Sequence, residues 1–352
     1  MGPRINPKVY SQSVFGWIKC LERYGVRMDR VNIILATYNG EKYISEQIDS
    51  IIKNSFKNWK LWVFDDGSTD RTSSIINSYA IQYPDQIYFR QNEKNIGVTL
   101  NFLEGVLHVN RCKFNGNEKA ASNQNDEIID YFMFSDQDDV WMKDKIELTL
   151  NHMKKMEQKF NKNSILAVFT DALVVDENLN KLHSSFYQVN KLDTKKVDLA
   201  HIMMENKLIG CTVMFNQPLL DKMKSLPKNA RYHDWWVAMV ASAFGHISFM
   251  PKATLFYRQH SNNVVGNQTF NSYVKRRITT LNKQKEVITK VIKQADDFYN
   301  IYRVELSTDK KMQVYTLSQL NKYNWLKRRF IILKYGFLKT GLIRNIGLIC
   351  II

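Results

Sequence analysis

Short apolar runs alternate with helically patterned segments through the first half of this 352-residue chain, and that alternation limits the folds open to it. Residues 31–36 read as a buried strand. Residues 41–54 carry Tyr43, Ile44, Ile48, Ile51 and Ile52 along one helical stripe. A second strand is expected over 60–64, and a second helix over 70–83, opened by Ser68, Thr69 or Asp70. Further along come a strand at 87–90, a turn at Asn95-Ile96-Gly97 and a helix at 98–109. A strand at 129–135, a helix at 143–160 and a strand at 165–169 complete the series. This predicts an α/β fold with a mostly parallel central sheet and helices on both faces. Residues 110–127 are polar and patternless and read as a long surface loop. Beyond 170 the pattern loosens, with a strand expected over 209–215 and a helix from Trp235 to Phe244 opened by His233-Asp234. There is no internal repeat.

Two of the expected strands run into acidic turns. Leu61-Trp62-Val63-Phe64 leads into Asp65-Asp66-Gly67-Ser68-Thr69-Asp70, and Tyr131-Phe132-Met133-Phe134 into Ser135-Asp136-Gln137-Asp138-Asp139. In open α/β sheets the carboxyl ends of strands border the ligand crevice. Carboxylates converging there repel one another unless a positive charge joins them. A divalent cation carried by a diphosphate suits that place, because magnesium is usually held by one or two carboxylates plus substrate phosphates.

Each acid also has a plainer reading. Asp70 suits a helix cap, and acids are favoured near a helix N-terminus. Asp65 and Asp66 together exceed the needs of one cap. The three carboxylates at 136–139 exceed them further, and Asp139 is the one best suited to a structural cap. Thr37-Tyr38-Asn39-Gly40 reads alone as an Asn-Gly turn. His233-Asp234-Trp235-Trp236 sets an acid among rings. Such surroundings desolvate a carboxylate and raise its pKa, which suits a general base; a capped helix with buried tryptophans is the alternative. Within Tyr257-Arg258-Gln259-His260, the histidine reads by itself as a hydrogen-bonded structural residue.

Composition narrows the class. Apolar content of 44% supplies a real core for one large domain or two smaller ones. The patch Val14-Phe15-Gly16-Trp17-Ile18 is too short for a signal peptide's apolar region. The four cysteines (Cys20, Cys112, Cys211, Cys350) are scattered, which fits reduced thiols in a cytoplasmic protein. Net charge is +16, and residues 271–352 hold 17 Lys and Arg against 5 Asp and Glu. A nucleic-acid binder would interleave its basic residues with aromatics across a sheet or recognition helix. Here they collect in a tail beside aliphatic residues, so nucleic acid is not expected as a partner. A nucleotidyltransferase would usually carry a Gly-rich basic loop after the first strand, and Thr37-Tyr38-Asn39-Gly40 is no such loop.

In chain order these motifs resemble the family 2 glycosyltransferases, the inverting GT-A group, and most of all its bacterial rhamnosyltransferase branch. The resemblance rests on Ala36-Thr37-Tyr38-Asn39-Gly40, Asp65-Asp66-Gly67-Ser68-Thr69-Asp70, Asp136-Gln137-Asp138-Asp139-Val140-Trp141, His233-Asp234-Trp235-Trp236 and Tyr257-Arg258-Gln259-His260. It implies an α/β GT-A domain over 31–265, with a mixed, mostly parallel central sheet flanked by helices, a nucleotide-sugar-binding half at 31–140 and an acceptor half at 141–265. Residues 1–30 are then an N-terminal extension and 266–352 a basic helical C-terminal region. By the same resemblance Thr37, Tyr38, Asp66 and Asp136 bind the donor. Asp136 and Asp138 match the DxD motif, with Asp138 and His260 as ligands of a magnesium or manganese ion. Asp234 matches the catalytic base. The implied reaction moves a sugar from a nucleotide-sugar donor, dTDP-L-rhamnose first and a UDP-hexose second, to a glycan or lipid-linked glycan of bacterial surface polysaccharide.

Residues 325–352 are interrupted by Lys334, Lys339 and Arg344 and cannot form an uninterrupted apolar span. Two readings fit. One is a core-packing helix with solvated charges. The other is an interfacial segment on an anionic membrane, broken at Gly336 or Gly341, which would hold the protein on the inner face of the cell membrane.

Overall fold

The computed structural model describes residues 28–114, 128–223, 225–260 and 281–352. Most of the N-terminal extension, the remainder of the 110–127 loop, Ser261-Asn262-Asn263 and the helical reading of 271–280 lie outside the described residues.

Nine strands form one sheet among the described residues. They are β1 (Met28–Thr37), β2 (Trp59–Asp65), β3 (Ile87–Gln91), β4 (Ile128–Ser135), β5 (Val140–Trp141), β6 (Leu166–Val175), β7 (Lys181–His183), β8 (Val213–Asn216) and β9 (His246–Arg258). The spatial order is β3-β2-β1-β4-β8-β6-β9-β5, with β7 paired to β6. Strands β3, β2, β1 and β4 run parallel. Strand β8 is antiparallel to both β4 and β6, and β9 is parallel to β6. The sheet is therefore mostly parallel, as the alternation predicts, and mixed, as the resemblance implies.

Side chains alternate across the pleat, so each strand feeds two cores. Ile34, Trp62, Phe64, Phe132, Phe134, Phe169 and Phe215 enter one. Ile33, Leu35, Leu61, Val63, Tyr131, Met133, Val168 and Met214 enter the other. Helices α1 (Ile44–Ile52) and α4 (Lys145–Phe160) cover the second face, beside α2 (Thr72–Gln82). Helices α3 (Val98–Phe114), α6 (Leu199–Met204), α7 (Gln217–Lys222) and α8 (His233–Phe244) cover the first. A one-turn helix, α5 (Phe186–Val189), follows β7. The β1–β4 register is marked by a buried ion pair. Arg30 and Asp130 sit opposite one another, bonded at 2.6 Å, and Asn32 donates to the same carboxylate at 2.7 Å.

Three expectations are corrected. Helix α3 continues to Phe114, because the stripe of Phe102, Val106 and Val109 is prolonged by Cys112 against the same core. Residues 210–212 form a 3₁₀ turn rather than strand, since the Gly210 N–H donates to Asp234 instead of to a neighbouring strand. Asp139 caps no helix; it is buried and accepts from the Arg258 backbone N–H at 3.2 Å. Asp70 does serve the start of α2, accepting from the Thr72 N–H at 2.9 Å.

The C-terminal region forms α9 (Leu281–Tyr302), α10 (Thr308–Ser318), α11 (Trp325–Tyr335) and α12 (Leu342–Ile351). The tail breaks between Gly336 and Gly341, both at positive φ, where glycine is at ease. Ile292, Phe298, Tyr302, Leu317, Ile332, Phe337 and Leu348 belong to the same buried core as the α8 residues, and Phe298 meets Trp236 edge-on at 5.4 Å. No helix among the described residues is long and apolar enough to cross a membrane. Because the C-terminal helices share that core, Phe298→Ala should cost ~3–5 kcal/mol of unfolding free energy, and urea denaturation should stay a single transition at lower midpoint. Two separated transitions would mean that the helices fold as a unit of their own.

Candidate active site

The carboxyl ends of β1, β2 and β4 and the first turn of α8 border a cleft of about 700 Å³. Thr37, Tyr38, Asp66 and Asp136 line it, as do Asp138, Asp234 and His260. All seven candidates are thus brought together.

The wall at β1 and β2 is built from bonds between turns. Thr37 and Asp65 are register partners, and the Asp66 N–H donates to the Thr37 carbonyl at 2.8 Å. Asn39, at φ +47°, accepts from the Thr69 N–H at 2.9 Å, and its own N–H donates to Ser68. Gln137 was not singled out from sequence, yet it ties the first and third turns. Its side-chain oxygen accepts from the Thr37 hydroxyl at 2.6 Å and from the Tyr38 N–H at 2.9 Å. Tyr38 is left projecting, 45% exposed, at the cleft's lip. The two acids after β2 divide their work. Asp65 accepts from the Ser68 N–H and the Ser73 hydroxyl, closing its own turn. Asp66 reaches across, accepting from Asn92 and from the N–H groups of Ile96 and Gly97 at 2.9 and 2.8 Å. It therefore fixes the 95–97 turn while facing the cleft.

The wall at β4 carries the concentrated charge. Loss of water, then the neighbouring carboxylates of Asp138 and Asp234, raise Asp136 to about 7. Asp138 Oδ2 lies 2.8 Å from His260 Nε2, and the His260 ring stacks on Tyr43 at 5.2 Å. Arg258, also not assigned a role from sequence, is the strut beneath them. Its buried guanidinium donates to the Asp138 carbonyl at 2.8 Å, to the Glu177 carbonyl and to the Glu46 carboxylate, and lies 4.5 Å from the Tyr43 ring centre. The one clue in the sequence was its place two residues before His260. Asp136, Asp139 and Cys211 also cluster, with donor atoms within 4.8 Å of one another. Asp139 and Cys211 are nevertheless buried behind the cleft wall, and burial together with both acids pushes the Cys211 thiol up, so it stays protonated.

Asp234 opens α8. Burial raises its carboxyl to about 7, although the N–H groups of Trp235 (2.6 Å) and Gly210 (3.0 Å) oppose that shift. His233 stacks on Phe102 at 3.7 Å and meets the edge of Phe134. Burial lowers it to about 3, so it is a neutral ring, and its Nε2 has no hydrogen-bond partner among the described residues. Asp234 is thus a nearly dry acid held by two N–H groups, beside rings that bring no charge.

A hard divalent cation suits this donor set. Asp138 and His260 already share a contact at the cleft, Asp136 adjoins them, and the Arg258 guanidinium donates to backbone and to Glu46. Loss of water, then Asp138 and Asp234, drive Asp136 toward protonation, and a cation held beside it would offset that charge repulsion.

Residues 32–209 match the sequence profile of Glycosyl transferase family 2, just over half of the chain. The chain belongs to glycosyl transferase family 2. It is 29% identical to a dTDP-rhamnosyl transferase, RfbG, of Shigella flexneri, over 75% of this chain and 86% of that protein. It is 27% identical to the UDP-Glc:alpha-D-GlcNAc-diphosphoundecaprenol beta-1,3-glucosyltransferase WfgD of Escherichia coli, over 54% of this chain and 62% of that protein. The S. aureus TarS 1-349 structure in complex with UDP-GlcNAc aligns with a TM-score of 0.49 at 18% identity, covering 86% of this chain and 79% of that one.

One further wall of this glycosyltransferase's cleft comes from Leu192 and from Asn206 to Gly210. It is clamped to the C-terminal tail. The buried Lys207 ammonium donates to the Glu205 carboxylate and to the Thr340 hydroxyl, and the Thr340 N–H donates to Glu205 at 2.7 Å. Arg344 lies 3.5 Å from Glu205 and donates to the carbonyls of Asn190 and Lys191.

Gly210 leaves no room for a side chain: a Cβ there would lie 2.6 Å from His233 Nε2 and 3.6 Å from Asp234 Cβ. Gly210→Ala should push α8's first turn aside and lower kcat on the order of 100-fold, since a displacement of about 1 Å can cost that much. Nucleotide affinity, measured by calorimetry, should change little. Retained turnover would show that Asp234 is not placed by this contact.

Proposed function

We propose that this protein transfers a sugar from a nucleoside diphosphate donor to a hydroxyl of a glycan or lipid-linked glycan acceptor, with inversion, in bacterial surface polysaccharide synthesis. The observation that carries the reading is the meeting of Asp66, Asp138 and Asp234 in one cleft. The donor is dTDP-L-rhamnose, on the strength of the Shigella relative's name. A UDP-hexose is the second reading, from the name of the Escherichia coli relative. The cytoplasmic face of a membrane, where a lipid-linked acceptor would lie, is the proposed place of work.

In this mechanism Thr37, Tyr38 and Asp66 hold the nucleotide end of the donor. Asp136, Asp138 and His260 hold the diphosphate end and its magnesium or manganese ion. That ion, when bound, supplies positive charge to offset what grows on the departing diphosphate. Asp234 receives the proton of the acceptor hydroxyl as the oxygen attacks the anomeric carbon. The bond from that carbon to the diphosphate oxygen breaks on the opposite face, so one displacement inverts the centre. A carboxyl near 7 suits the task, because a general base works best with a pKa close to the working pH.

Asp234→Asn keeps the shape and removes the base, so turnover should fall ~10²–10⁴-fold with nucleotide affinity retained. Wild-type-like turnover in that variant would remove the assignment. The raised pKa also fixes the sign of the pH dependence. The base is competent when ionised, and below about 7 its ionised fraction drops tenfold per unit. The kcat/KM should therefore rise with pH and level off above neutrality; a flat profile down to about pH 5.5 would contradict it. Nucleotide-sugar turnover across a panel of dTDP, UDP and GDP donors tests the substrate. Turnover of UDP-hexoses alone would reject the rhamnose donor.

A further inference from the structure

Helices α11 and α12 bury one side and leave the other apolar side uncovered. Ile331, Ile332, Phe337 and Leu348 face the core. On α11, Leu326, Phe330 and Leu333 recur at helical spacing on the outside, with Trp325 at the first position. On α12, Leu342, Ile343 and Ile346 do the same. All seven are more than half exposed. Single exposed apolar residues are ordinary, but so many within one terminal segment mark an interaction surface. The two helices turn back on each other. The Arg329 guanidinium, stacked 3.6 Å from the Trp325 ring centre, donates to the carbonyls of Cys350 and Ile352.

Charge selects the partner. Residues 325–352 contain six Lys and Arg and no acid. Exposed Lys327 and Lys334 lie on α11 beside the apolar side chains, and Lys334 lies over the Phe330 ring. Apolar side chains flanked by flexible ammonium groups match acyl chains beneath anionic headgroups, with tryptophan at the boundary.

We propose that the outer face of α11 and α12 docks on an anionic bilayer, with Leu326, Phe330, Leu333, Leu342, Ile343 and Ile346 entering the acyl region and Lys327 and Lys334 meeting headgroup phosphates. This deepens the membrane part of the proposed function by naming the surface. It also explains the clamp. The turn between these helices holds Thr340 and the second helix holds Arg344, and both grip Glu205 next to cleft-lining Asn206 and Lys207. The docking face is therefore joined to a wall of the cleft, and a lipid-linked acceptor would meet that wall from the bilayer.

The test is co-sedimentation of the full chain with phosphatidylcholine vesicles, with and without phosphatidylglycerol. Wild type should sediment with the anionic vesicles, and Leu326→Glu/Phe330→Glu should lower partitioning at least about tenfold. Ile343→Glu/Ile346→Glu, on the other helix, should do the same. Both pairs are exposed, so the melting temperature and vesicle-free turnover should hold, which separates lost docking from lost folding. Wild type remaining in the supernatant, or variants sedimenting like wild type, would overturn the proposal. So would light scattering showing a dimer that the glutamates split, because the face would then belong to a second copy. Docking without nucleotide-sugar turnover would instead sink the proposed activity and leave the docking surface standing.

Discussion

Repulsion among carboxylates gathered at one edge of a sheet is the constraint on which the rest of this structure turns. Parallel pairing of β2, β1 and β4 delivers their carboxyl ends to the same edge, and the ends of β2 and β4 are followed by acid. Water is scarce there, so Asp136 and Asp234 are both raised to about 7. Folding alone has no use for such an arrangement, since a buried charge without a partner costs stability. It becomes reasonable when the missing charge arrives with the substrate.

Two buried cations behind the cleft wall are bonded to other groups. Arg258, buried directly below Asp138, donates to its carbonyl and to Glu46. Lys145, also buried, donates to Thr254, and burial lowers it to about 8. Asp66, by contrast, is well supplied with backbone N–H donors. The acids near the cleft thus differ in kind: Asp65 closes its own turn, Asp139 is bonded to the β9 backbone, Asp66 fixes the 95–97 turn while facing the cleft, and Asp136, Asp138 and Asp234 line the cleft. The neutral His233 adds no charge beside Asp234, whereas a charged ring there would move that carboxyl away from neutrality.

The alternating sheet was legible because it is local. Strand and helix periods show over a few residues, and acids at strand ends stand out against them. All seven site candidates were legible in the same way, through short motifs. What was hidden is long-range. Gln137 bonds to Thr37, Gly210 to Asp234, and Arg258 to Glu46, each across a separation that no local pattern reports. The Lys207–Thr340 contact is of this kind, and with it the joining of tail and cleft. Helix α3 outran its expected end because Cys112 continues a stripe that polar neighbours mask. The tail packs its inner side into the core, as the core-packing reading has it, and leaves its outer side apolar.

The central claim is that the clustered carboxylates await a cation brought with the donor. Calorimetric titration of a nucleoside diphosphate into the wild-type protein, in manganese and then in excess chelator, tests it most directly. The account predicts binding that weakens at least about tenfold on chelation, and an Asp138→Ala protein that no longer distinguishes the two conditions. Equal affinity with and without the metal in the wild type would contradict it.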